Sequence, residues 1–326
     1  PSDLDPAVIR AQLGTQVLGR DLRVLAEVGS TNDVALAAAR GGAPEGVALL
    51  ADRQSAGRGR QGRRWESPPG LGIYTSILLR PGLPAPLAGL LTLAAGVAAA
   101  EAIQEVTGLV PRLKWPNDVQ LEGRKVGRIL IEETTQEKRL NEAVVGIDIN
   151  VNHETTNFPL GLGNSATSLR LALGRRLPRA PLVAALYNAL ERWYRALRGG
   201  DRELAVSYYG RAIDAFLEDG QREAARAVAN KIVRVQPKAV RTLCTLTWLD
   251  LASRHTATAL LHLRDYVAAA KEIGASALAA DQIFAMARVV RDVEFLGAVA
   301  DALDGLDFAQ RASEVREWAK AGGAPG

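Results

Sequence analysis

The chain has little of what builds metal centres and disulfides. Its 326 residues include one cysteine, Cys244, and three histidines, His153, His255 and His262. A single cysteine excludes an intramolecular disulfide and a thiolate metal cluster. Three separated histidines leave little material for a zinc site. Long apolar runs are also missing. The longest proline-free stretch without charge, residues 87–100 (LAGLLTLAAGVAAA), falls short of the roughly 20 residues that cross a bilayer, so it reads as a buried helix. The first residues, PSDLDPAVIRAQLG, carry acids and no apolar run, unlike a secretory signal. The expectation is a cytoplasmic protein with no membrane partner. Excess charge is small as well: 40 basic against 36 acidic residues give +4, too weak a balance to imply a nucleic-acid partner by itself.

What is present fits a soluble globular protein. Hydrophobic residues make up 48% and charged residues 23%, enough for a core that can enclose a small-molecule site, and the length suggests two domains. Residues 7–20 read as a short helix and 22–28 as a strand. Ser30-Thr31-Asn32 offers an N-cap to a helix reaching about Arg40, which Gly41, Gly42 and Pro44 stop. Strands are expected at 47–51 and 71–79, then a long helix over about 86–108. Three further strands follow near 111–115, 125–133 and 142–151, and a helix over 179–198. Strands and helices mix without strict alternation, so the expected class is α+β, a mixed sheet flanked by helices. After about residue 203 strand signals vanish. About seven helices are expected, broken near Gly220, Pro237, Arg254, Gly274, Asp292 and Gly305. Their spacing suggests an all-α, helical-repeat-like domain. The domains are therefore read as 1–203 and 204–326.

Four segments carry polar residues whose spacing suggests chemistry. In residues 51–65, Gly57, Gly59 and Gly62 allow positive φ and close backbone approach. Arg58, Arg60, Arg63 and Arg64 between them offer planar forks for a phosphate or carboxylate. In Lys114-Trp115-Pro116-Asn117-Asp118, proline forces Trp115 to be extended, and Asp118 at a strand end could hold Mg²⁺. Lys125 opens a strand after a glycine turn. Asn150 and Asn152 share one face near the end of another. Taken singly, each has a plainer reading: a solvated basic loop, a capping turn, a solvent-facing lysine, polar strand ends. Trp65 is the only aromatic near the arginines, which argues against RNA binding.

In their order and spacing, these segments resemble the biotin–protein ligase family. The matching residues are Ser30-Thr31-Asn32, Gln54 with Gly57 to Trp65, Lys114 to Asp118, Lys125 to Leu130, and Gly146 to Asn150. The resemblance covers about residues 7–203. It implies a biotin/lipoate ligase-like fold that joins biotin to ATP as biotinyl-5′-AMP and transfers it to a lysine of a biotin carboxyl carrier protein. By resemblance, Ser30, Thr31, Asn32 and Gln54 would bind the ureido end of biotin, with Arg58, Gly59 and Arg60 along its chain and the phosphate. Lys125 would meet the biotin carboxylate and the reacting phosphate, giving Lys125, Arg58 and Arg60 the catalytic roles. Arg60, Arg63, Trp65, Lys114, Asn117, Asp118 and Asn150 would serve ATP, with Asp118 on Mg²⁺.

This chain departs from the family pattern in three places. Arg128 and Asp148 stand where the family has glycine. They would either pair across neighbouring strands or narrow the biotin pocket. A helix-turn-helix does not precede the catalytic region, so no DNA partner is expected. The helices after 203 replace the small β-barrel usual in the family and could bind a further protein. Two other readings stay open: lipoate or octanoate ligation on a related fold, and an impaired, ligase-like scaffold whose helices bind a partner.

Overall fold

The computed structural model describes residues 3–59, 62, 64–84, 88–114, 117–136, 139–159, 161–162, 165–198, 210, 213–214, 216–218 and 220–324. The chain divides into two compact units, Pro1–Asp201 and Arg202–Gly326.

The first unit is built on a mixed sheet. Its strands are β1 (Leu22–Val28), β2 (Ala48–Gln54), β3 (Gly72–Leu79), β4 (Leu83–Pro84), β5 (Arg112–Lys114), β6 (Asp118–Leu121), β7 (Arg124–Gln136) and β8 (Arg139–Asn150). Their order is β1-β2-β3-β8-β7-β6-β5, and β4 pairs with β8. Only β1 and β2 run parallel, and the other neighbours are antiparallel. The α+β reading holds. β4 and β6 are absent from the expected set. Two and four residues are too few to show a periodicity that could be read along the chain.

The helices of this unit are α1 (Pro6–Ala11), α2 (Thr31–Arg40), α3 (Ala88–Thr107), α4 (Leu169–Leu173) and α5 (Arg179–Arg198). Side chains alternate across a strand, so the sheet has two distinct faces. Thr75 of β3 points toward α5, where its hydroxyl lies 2.6 Å from the Tyr187 hydroxyl. Ser76, one residue on, points the other way and donates to Asn32 on α2 at 2.6 Å. β3 is buried at all eight positions, because α5 covers one face and α2 the other. α3 has the length and hydropathy of a membrane span, yet Leu90, Leu91, Ala94, Ala98 and Ile103 are buried in the protein. It packs against α5 and the sheet, as a helix apolar on most sides does.

α1 is shorter than the 7–20 expected. It stops at Ala11, and Glu191 of α5 takes the next segment. Its carboxylate accepts the backbone N–H groups of Gln16, Val17 and Leu18 at 2.6, 2.9 and 2.8 Å. Those donors are thereby lost to any continuing helix.

Among the described residues of the second unit, six continuous helices follow one another: α6 (Arg222–Val235), α7 (Val240–Ala252), α8 (Thr256–Glu272), α9 (Ser276–Val289), α10 (Val293–Gly305) and α11 (Ala309–Ala321). The breaks fall at the expected glycines and polar residues, and the helix expected before Gly220 lies largely outside the described residues. Leu263, Tyr266, Ile283, Phe295, Leu296 and Val299 lie at the centre of this unit's core. Buried Asp250 on α7 lies 2.7 Å from Arg226 and 2.8 Å from His262, so its charge is paired.

Candidate active site

Two elements shape the site: strands β5 to β8, which supply Lys114, Asp118, Lys125, Arg128 and Asn150, and the glycine-arginine loop beside them, which supplies Gly59, Arg64 and Trp65. The loop doubles back on itself through isolated bridges, Gln54 with Ser67 and Arg58 with Arg64. Gly57 sits at the crossing. A Cβ there would lie 2.4 Å from the Trp65 carbonyl oxygen, so only glycine fits. Gly146 on β8 is similarly constrained, since a Cβ would come within 2.3 Å of Asn32 Oδ1.

Beside the loop opens a cavity of about 800 Å³. Gly59, Trp65, Lys114, Asn117, Asp118, Lys125 and Asn150 all line it. The tertiary fold therefore brings together residues spread over more than ninety positions of the chain. Arg60 and Arg63 lie outside the described residues, as do Trp115 and Pro116. Part of the lining is apolar and aromatic, formed by His153, Phe158, Pro159, Leu162 and Ala166. His153 stacks on Phe158 with ring centroids 5.4 Å apart. Burial, with Arg179's charge adding to it, pushes the His153 imidazole down to about 4, so it is neutral at pH 7.

Several site residues are held by the backbone around them. Lys125 exchanges backbone hydrogen bonds with residues 165–167, at 2.8 Å from its N–H and 2.8 Å to its carbonyl. This ties the loop after β8 to the start of β7. Lys125 Nζ lies 2.6 Å from Asp118 Oδ1 and 5.3 Å from the centroid of the Trp65 ring. Asn117 donates its side-chain amide to the Ile129 carbonyl at 2.8 Å, and Asn150 donates to the Thr167 carbonyl at 3.0 Å. Both amides thus set the shape of the wall and still leave an oxygen for a ligand.

Ser30, Thr31, Asn32 and Gln54 do not line the cavity. They are buried behind it and bonded within the protein. Ser30 occupies the N-cap position of α2, but its side chain makes no capping bond. The cap comes instead from Gln54, whose Oε1 accepts from Thr31 N at 2.9 Å and lies 3.2 Å from Thr31 Oγ1. Gln54 Nε2 donates to Ser67 at 3.0 Å. Asn32 Nδ2 donates to Glu132 Oε2 at 2.8 Å. Arg58 reaches the same Glu132 oxygen at 2.7 Å and Asp33 at 2.7 Å, which anchors the loop to β7 and α2. Reading along the chain misses Ser67, Ser76 and Glu132 as site residues. The available signals are a lone Ser in the apolar run of β3 and a Glu that directly follows the apolar run Ile129-Leu130-Ile131 of β7.

Arg128 and Asp148 face each other directly across β7 and β8. Arg128 Nε and Nη2 both reach Asp148 Oδ2, at 2.8 and 2.7 Å. Only 4% of Arg128 and 6% of Asp148 is exposed, so this is a buried pair, and burial pushes the Asp148 carboxyl pKa up although Arg128 pulls it down. Gln54 Nε2 also donates to Asp148, at 3.3 Å. The Trp65 ring covers the Arg128 guanidinium, with 4.8 Å from Cζ to the ring centroid.

Strands, loop and cavity together define a site with cationic, amide and aromatic side chains on an α+β sheet. Residues 27–150 match the biotin/lipoate A/B protein ligase family model. The chain is 39% identical over 195 residues to the bifunctional ligase/repressor BirA of Bacillus subtilis, covering 60% of each. It is 35% identical over 221 residues to the biotin–[acetyl-CoA-carboxylase] ligase of Mycobacterium tuberculosis, covering 64% of this chain and 79% of that one. Among solved structures it is similar to the Aquifex aeolicus biotin protein ligase in complex with biotin and ATP. That match has 31% identity and a TM-score of 0.51, over 60% of this chain and 78% of that one. The chain belongs to the biotin–protein ligase family. It spans 60% of the length of the Bacillus relative, and the family-model match, residues 27–150, lies in the first unit.

Proposed function

We propose that this protein activates biotin with ATP and transfers it to a lysine of a biotin carboxyl carrier protein. The observation that carries the reading is the cavity in which Lys114, Asn117, Asp118, Lys125, Asn150 and Trp65 meet. The similar Aquifex enzyme was solved in complex with biotin and ATP, and the Mycobacterium relative is named for an acetyl-CoA-carboxylase target.

In the first step a biotin carboxylate oxygen attacks the α-phosphorus of ATP, a P–O bond forms, and pyrophosphate leaves. Both reactants are anionic. Lys125, Lys114 and the arginine loop offset that repulsion and stabilise charge on the phosphoryl oxygens. In the second step the acceptor amine attacks the acyl carbon, a C–N bond forms, and AMP leaves with the bonding pair. Neutral His153 and Phe158 form a flat, apolar wall suited to a nucleobase. Burying the mixed anhydride under the Trp65 loop excludes water, which would hydrolyse it.

Mg²⁺ would arrive with the triphosphate. Among the described residues no group of three or more His, Cys, Asp or Glu could hold a metal ion. Asp118 is the strand-end carboxylate on the cavity wall and is bonded to Lys125. One carboxylate plus phosphate oxygens and water is a common set for Mg²⁺, so Asp118 fits that role once the nucleotide brings the ion, whose charge would draw electron density from the reacting phosphate.

Two extensions belong to the same proposal. The first is a cytoplasmic setting, where ATP is available as co-substrate. A protein partner for the second unit is supported by aliphatic side chains in solvent, Ile273, Leu278, Val289 and Val293 among them, each more than half exposed.

Biotin-dependent exchange of pyrophosphate into ATP, followed by mass-detected biotinylation of a carrier domain, tests the main reading. Exchange strictly dependent on biotin supports it. Exchange with octanoate or lipoate but not biotin would move the protein to the other branch of the family.

A further inference from the structure

We propose that Arg128 and Asp148 form a gate that decides which acids reach the Ser30–Gln54 end of the site. The inference rests on the biotin-ligase reading above. Arg128 lies on the cavity wall, whereas Asp148, Gln54 and Ser30 to Asn32 lie beyond it. From the wall inward the hydrogen bonds are continuous. Arg128 donates to Asp148 at 2.8 Å, Gln54 donates to Asp148 at 3.3 Å, and Gln54 in turn accepts from the first N–H of α2 at 2.9 Å. On its other side Arg128 is covered by Trp65. The polar groups that would recognise a head group are engaged by the protein itself, and the ion pair stands across the way to them.

Two consequences follow for ligands. An acid can set its carboxylate against Lys125 and Arg128 without disturbing the pair. An acid whose head must reach Gln54 and Thr31 has to part Arg128 from Asp148 first. Parting a buried pair strands two charges unless the ligand replaces the lost bonds. A cyclic urea does so, since its N–H groups donate to Asp148 and its carbonyl accepts from Arg128 or Gln54. A hydrocarbon or dithiolane head offers neither, so the gate stays shut to it. Selectivity thus comes from the requirement to re-satisfy the pair, and biotin affinity is lowered by the work of opening it.

The test is equilibrium binding of biotin, octanoate and lipoate, without nucleotide, to the unmodified protein and to Arg128→Gly/Asp148→Gly. The double variant is expected to bind biotin at least tenfold more tightly and to gain measurable octanoate binding. Affinities within threefold of the unmodified protein would overturn the gate. Arg128→Ala/Asp148→Ala serves the same purpose should the glycines unfold the strands. A further readout needs no variant. The rate of the tryptophan fluorescence change on mixing with biotin should level off at high biotin, where opening limits it, and a rate linear in biotin throughout would also overturn the gate. Failure of the underlying reading looks different. An unmodified protein that exchanges pyrophosphate with biotin but gains no affinity in the variants loses only the gate. A protein without exchange whose variants bind biotin more tightly keeps the gate and loses the ligase reading.

Discussion

Lys125 and Asp118 are joined at 2.6 Å across β7 and β6, diagonally, because register sets Lys125 against Gln120 beside a bulge at Val119 and Gln120. The bulge re-aims the lysine toward the cavity. Both side chains are about a quarter exposed, 29% and 24%, so an incoming triphosphate and its cation can compete for each. Lys125→Ala should lower biotin-dependent pyrophosphate exchange on the order of 100-fold, as loss of one transition-state cation does. Asp118→Asn should raise the Mg²⁺ concentration needed for half-maximal rate. An exchange rate within twofold of the original for Lys125→Ala would reduce the residue to a partner in a salt bridge.

Gln54 joins four elements. It caps α2 through Thr31, donates to Ser67 beneath the loop, and donates to Asp148 on β8. Gln54→Ala should cost about 1–3 kcal/mol, since the α2 N–H and Ser67 lose their buried partner together. It should also weaken biotin binding. The urea midpoint and the biotin affinity are the two measurements, and an unchanged midpoint would mean that water replaces the side chain without loss.

Glu191 predicts an acid-sensitive step in stability. Burial raises its carboxyl pKa, but the backbone N–H groups of Gln16, Leu18 and Val17 outweigh burial, and the net direction is down. A depressed acid contributes stability that is present above its unfolded pKa and is lost as pH falls through the folded value. Below the ordinary glutamate value of 4.5, unfolding should therefore become easier as pH falls. Glu191→Gln should flatten that part of the curve and cost about 1–3 kcal/mol at pH 7, read from chemical denaturation at pH 7 and pH 4.

His153 acts at higher pH. Its folded pKa is pushed to about 4, by burial first and by Arg179 second. The unfolded imidazole takes a proton near 6.5, so below that pH protons favour the unfolded chain. Stability should fall from about pH 6.5 down to about pH 4, by up to about 3 kcal/mol in total. His153→Phe should remove this dependence while keeping the stack on Phe158. A midpoint unchanged between pH 7 and pH 5 in the unmodified protein would contradict the neutral, buried histidine.

Residues 1–203 alone should fold. The sheet, its helices and the cavity all belong to the first unit. Circular dichroism of that fragment should show a cooperative melt, and pyrophosphate exchange should persist in it. A fragment with no folded signal would place essential packing in the second unit.

Much of the site is legible along the chain. The alternation of β8, the apolar sequence of α3, and the boundaries of α5 at Arg179 and Arg198 all follow from local periodicity and punctuation. The spacing of the arginine loop, Lys114 to Asp118, and Lys125 is sufficient to name the family. What sequence leaves open is set by partners far apart in the chain. Glu191 ends α1 from more than 170 positions away. Gln54, and not the side chain of Ser30, caps α2. β6 exists because β5 and β7 supply its hydrogen bonds. Whether Arg128 and Asp148 would meet or would separately obstruct a pocket depended on register, since a shift of one residue would have turned one of them to the opposite face of the sheet. The fold pairs them face to face under Trp65, where parting them would strand two buried charges.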